Sequence, residues 1–164
     1  MKPEVLFFRY AFPCTRVIMD RGDMDQDSYS RLEELAKEGK APPFKELEQV
    51  YKNAFVIMKK LYGNKYRSKH SIESYWRGGG HNNEIDNNPD YKDRTEDFKK
   101  LCRVRKVVVT GKAPYFRETS SWLMIKETGI SDEQVVWNPY NVEIKKGDEV
   151  NIHHNIIVEK ATTI

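Results

Sequence analysis

The chain has only two cysteines, Cys14 and Cys102, and no CxxC pair. Two thiols so far apart make no disulfide framework, so reduced thiols in a cytoplasmic protein are expected. No stretch approaches the roughly 20 apolar residues that a membrane span needs. Glu4 and Arg9 interrupt the apolar run near the start, and no small-residue cleavage site follows it, so a signal peptide is not expected. No unit of roughly 20–50 residues repeats. HExxH, HxH, GxGxxG and full Walker spacing are all missing. A large excess of one sign of charge is also lacking. Lys and Arg number 28 against 25 for Asp and Glu, which leaves +3.

What is present suffices for a core. Hydrophobic residues make up 38% and aromatics 12% of 164 residues. That excludes a collagen-like or wholly disordered chain. A chain of this size buries roughly 70% of its unfolded surface without needing disulfides or metals.

The pattern along the chain reads as α+β. Pro3 opens a helix and Pro13 ends or kinks it. Asp20 to Asp27 reads as an acidic turn. Tyr29, Leu32, Leu35 and Ala36 follow at helical spacing, with Gly39 after them. Phe44, Leu47, Tyr51, Ala54, Phe55, Met58 and Tyr62 recur every three or four residues, which predicts one helix over 44–62. A shorter helix covers 71–77. The glycines and asparagines of 78–88 predict the most mobile segment and an internal boundary. That boundary separates a helical region, residues 1–88, from an α/β region, residues 89–164, unless 1–164 is one domain. Pro89 can open a further helix, with Tyr91, Phe98, Leu101 and Cys102 on one face. Val107 to Val109 reads as a strand covered on both faces. A helix is expected over 119–128, then a short strand at 135–137. The alternation of Val142 and Ile144, then Val150, Ile152, His154, Ile156 and Val158, around a turn at 145–148, predicts a terminal hairpin. The expected architecture is thus a mainly helical region, about residues 1–102, on a small sheet with one helix and that hairpin. In that register His154 is core and His153 is exposed.

Two stretches concentrate basic and aromatic side chains. Residues 99–117 hold seven basic residues and no acid, and 59–77 hold six against Glu73 alone. Cationic heads attract phosphates and aromatic faces stack on bases. The residues proposed to hold an anion are Arg67, Lys69, Arg77, Arg103, Arg105, Lys112 and Arg117. Tyr66, Trp76 and Tyr115 would stack. Against this stands the acidic pole 20–48, with nine acids to five bases. It can fold onto the basic stretches and leave an ordinary solvated surface.

Other constellations are weaker. His153 and Glu159, with a distant His81 or His70, offer histidine and carboxylate ligands for a divalent metal. Asp23, Asp25 and Asp27, with Glu34 at position 12, imitate a calcium loop, although Ser28 stands where the sharp turn wants glycine. Acids at a helix start explain the same spacing. Gly78, Gly79 and Gly80 could wrap an anion or simply form a loop. Cys102 falls on an apolar face, which suggests burial rather than nucleophilic use.

No motif in the chain is specific enough to name a function. The reading that uses most of these features is a binding module for an anionic partner, either nucleic acid or a phosphorylated ligand. The rivals are a small metal-assisted enzyme, using His81 or His153 with a carboxylate, and a non-catalytic subunit that binds a protein or a second copy of itself. No membrane partner is expected.

Overall fold

The computed structural model describes residues 1–114 and 121–161. Its class is α+β, with the helices first and the strands after them. The chain divides into two compact units, Met1–Arg103 and Val104–Ile164. The boundary expected at 88/89 is not where the chain divides. The helix Glu96–Cys102 packs on the helix Gly80–Asn87 and stays with the helical unit.

In that unit, α1 (Pro3–Ala11) has Pro3 at its first turn and runs into a 3-10 turn, Phe12–Cys14, at Pro13. Helix α2 (Thr15–Asp20) follows. Helix α3 (Gln26–Lys37) is capped by the Asp25 carboxylate, which accepts from the Ser28 amide at 2.7 Å. Asp23 pairs with Arg21 at 3.0 Å. Helix capping thus accounts for Asp25 in the calcium-like spacing.

The expected helix 44–62 is two helices, α4 (Phe44–Val50) and α5 (Lys52–Tyr62). The break is Tyr51, at φ −103° and ψ 49°. Its ring meets Phe7 edge-on at 5.8 Å, and its hydroxyl lies 2.7 Å from Thr15 Oγ1. A buried hydroxyl needs such a partner.

Helix α6 (Lys69–Trp76) is capped by Ser68. Helix α7 (Gly80–Asn87) occupies the segment expected to be a mobile loop. The glycines make a tight corner instead. Gly79 has φ +89°, and a Cβ on Gly78 would lie 2.5 Å from the Ser74 carbonyl oxygen. Helix α8 (Glu96–Cys102) is capped by Thr95. Phe7 packs on Phe55 and Trp76, and Leu6, Phe8, Leu47, Met58, Ile72 and Ile85 complete a fully buried interior.

The strands of the second unit are β1 (Arg105–Lys112), β2 (Trp122–Lys126), β3 (Glu133–Trp137), β4 (Glu149–His153) and β5 (Ile156–Lys160). They form a closed barrel in the order β1-β2-β3-β5-β4. β1 pairs antiparallel with β2 and β4, and β3 meets β5 in parallel at Trp137 and Ile156. Val107, Val109, Leu123, Ile125, Val136, Val150, Ile152 and Ile157 fill the interior. Val108 is only half-buried, so β1 is covered on one face rather than two.

Three expectations fail here, one from a misjudged period and two from an unrecognised turn. Of the helix expected over 119–128, residues 119 and 120 lie outside the described residues, and 122–126 form β2. Leu123 and Ile125 point inward between Trp122, Met124 and Lys126, which is a period of two. The hairpin turn is not at 145–148 but at His154 and Asn155, with φ 47° and 58°. Two successive left-handed residues make the tight primed turn whose twist matches the flanking strands. The apolar alternation through 150–158 is therefore two strands. His153 is fully buried and His154 half-buried, the reverse of the expected register, and Ile156 is half-buried.

The inward register carries the barrel's stability. Ile125→Ala should cost about 2–5 kcal/mol, because its side chain is completely buried. Val135→Ala, on the outer side of the neighbouring strand, should stay within about 0.5 kcal/mol. Urea unfolding followed by circular dichroism measures both, and equal costs would contradict the register.

Candidate functional site

The structure accounts for most of the proposed anion-binding residues as ion pairs. Glu48, in α4, gathers three donors. Lys59 reaches Oε2 at 3.0 Å, the Tyr66 hydroxyl donates to Oε1 at 2.8 Å, and Arg67 Nε donates to the same oxygen at 2.8 Å. Glu73 takes Arg77 at 2.9 Å and Lys69 at 4.0 Å. Arg103 ends α8 and donates from Nε to Asp86 at 2.8 Å. Arg105 opens β1, pairs with Glu127, and donates to Asn155 Oδ1 at 3.3 Å. Both members of the Arg105–Glu127 pair are largely buried. Arg103 and Arg105 therefore do not share one strand face.

The proposed stacking residues are also accounted for. Trp76 is buried in the helical unit and lies parallel to Tyr10, with ring centres 5.6 Å apart. Tyr66 is tied to Glu48. Tyr115 and Arg117 lie outside the described residues. Lys112 is exposed at the end of β1.

The metal candidates are embedded in structure. His81, in α7, is buried. Its Nε2 donates to the Cys102 carbonyl at 2.9 Å, and Nδ1 faces the Tyr75 hydroxyl at 3.5 Å. His153 is buried on β4, and Glu159 is half-buried on β5, where its register partner is Asn151. Burial and the nearby Arg105 hold His154 down to about 4, so its ring is neutral at pH 7. Burial raises the Cys102 thiol to about 11. Burial, with Cys102 adding to it, pushes Cys14 up as well. Neither thiol is ionised at neutral pH, so neither is an activated nucleophile.

The barrel presents a surface that sequence reasoning misses. On the outer side of β2 and β3 three cross-strand pairs form rows: Trp122 with Trp137, Met124 with Val135, and Lys126 with Glu133. The two indoles lie 20° from parallel, with centres 6.1 Å apart, and both are half-buried. Val135 is the exposed apolar side chain beside them. On the next strand Val108 lies opposite Lys126, and Lys106 follows two residues away on the same face. The signal for this face is the alternation of Trp122, Met124 and Lys126. Reading that segment as helix scatters it.

No protein-family model matches the chain, and no curated protein or solved structure matches it. No helix among the described residues is long and apolar enough to cross a membrane.

The Glu48 cluster makes a test of the helical unit. Burial alone would raise this carboxyl, but the hydrogen bonds from Arg67, Lys59 and Tyr66 outweigh it and bring it from 4.5 to about 2. A carboxyl lower in the folded than in the unfolded state stabilises above its unfolded value, and that stabilisation is lost as pH falls toward the folded one. Glu48→Gln should therefore destabilise at pH 7. Its deficit relative to wild type should shrink as pH drops from 4.5 toward 2. A deficit unchanged across that range in urea titrations would show that the carboxylate charge is not what holds the cluster.

Proposed function

We propose that the barrel unit is a binding module for single-stranded nucleic acid, and that the outer side of β2 and β3 is its contact surface. The observation that carries this reading is the half-exposed Trp122–Trp137 pair on that side. Aromatic side chains stack on bases of any sequence, because every base has a flat π-face. Large aromatics left part-exposed on a strand, rather than turned inward, are the kind of surface that function retains.

The topology supports the same side. The order β1-β2-β3-β5-β4, closed by a parallel β3–β5 pair, is that of OB-type barrels. Such barrels bind oligonucleotides and oligosaccharides on the face of their second and third strands. This is an analogy of fold, so the named residues must bear the claim. Lys126 and Lys106 are exposed on the same outer side, at the end of the strip away from the indoles.

A short oligothymidylate should bind the protein. Trp137→Ala should weaken it by about 1–3 kcal/mol, the usual worth of one stacked base. Lys65→Ala, on the helical unit, should leave affinity unchanged. Fluorescence anisotropy of a labelled oligomer reads both. No binding by wild type at low salt, with circular dichroism showing a folded barrel, would overturn the reading.

A further inference from the structure

We infer that this surface recognises its partner through unpaired bases, and that phosphate contacts contribute little. The inference rests on the nucleic-acid reading above and narrows it.

Three observations lead there. First, residues 104–164 carry eight basic and eight acidic side chains, so the barrel is formally neutral. A protein that holds its ligand by phosphates concentrates positive charge on the contact face. Second, the best phosphate fork among the barrel's described residues is already engaged. Arg105 is largely buried against Glu127 and bonds Asn155. Planar bidentate guanidinium is the strongest phosphate grip available to a protein, and here it serves the fold. Third, the rows on the outer face alternate in character. The indole pair is apolar, Met124 and Val135 extend it, and Lys126 stands opposite Glu133. Lys126 thus meets an acid in its own row, so its pull on a phosphate is offset at once.

What this face offers is an apolar strip ending in a row of opposite charges. Bases in a duplex present only their edges, because their faces are stacked on one another. A single strand exposes the faces that the indoles can cover. The class of ligand is therefore unstacked single-stranded DNA or RNA, not duplex and not a bare polyphosphate.

The test compares an oligothymidylate with an abasic oligomer of equal length and with inorganic polyphosphate. Binding of each is measured from low to physiological salt. Quenching of indole fluorescence gives a second readout, and the buried Trp76 supplies a steady background. The expected results are a log–log salt slope no steeper than about −0.7, one contact's worth, a loss of about tenfold or more for the abasic oligomer, which one stacked base is worth, no polyphosphate binding, and quenching by the oligothymidylate only. Trp137→Tyr should keep most of the affinity and Trp137→Leu should lose it. Because both variants keep a large side chain, a folding defect shows in circular dichroism rather than in the comparison.

Equal binding of the abasic oligomer, with a steep slope, would overturn the base-led inference and leave the nucleic-acid reading intact. Binding of a neutral oligosaccharide, with none of any oligonucleotide, would overturn both.

Discussion

The barrel depends on how one residue closes it. Trp137 is the position at which β3 meets β5, and its amide donates to the Asn155 carbonyl at 2.9 Å. Without that parallel contact the five strands would be an open sheet with two bare edges. Closure fixes the pleat, and the pleat fixes which side chains fill the interior and which stand outside. Leu123, Ile125 and Val136 turn inward because Trp122, Met124 and Trp137 turn outward. The residue at the seam also carries half of the indole pair, so the proposed contact surface adjoins the point at which the barrel closes.

The helical unit is organised differently. Its charges are matched locally: Glu48 with Lys59 and Arg67, Glu73 with Arg77, Asp86 with Arg103. Exposed pairs of this kind contribute little each. They also engage cations that a polyanion would need. The basic stretch 59–77 is partly neutralised by the acid that ends the acidic pole. The sequence offers that alternative beside the anion face, and the ion pairs favour it.

Legibility followed length and period. Helices α1, α3 and α6 are readable because proline or glycine punctuation agrees with the apolar spacing around them. The class, helices first and strands after, was readable from the change in texture after Cys102. The break at Tyr51 was not, because the hydroxyl contact to Thr15 that favours it spans 36 residues. β2 was missed because five residues with Trp122 and Ile125 three apart satisfy both periods. The site suffered most from this. Arginines and tyrosines stand out by local density, whereas the proposed contact face is built from two tryptophans distant in sequence and adjacent only once β2 and β3 pair. Conversely, a charged residue's availability is a property of its neighbours in space, which composition does not record.

The turn at His154 and Asn155 has a consequence of its own. Both residues hold a left-handed backbone that glycine adopts more easily. Asn155 does three things there: it takes that conformation, its carbonyl receives Trp137, and its side chain receives Arg105. A glycine would ease the backbone but drop the side-chain bond, so local comfort and long-range alignment favour different residues at this position. The asparagine acts as a molecular dowel. It accepts a strained pose so that the start of β1, the end of β3 and the last hairpin are pinned through one residue.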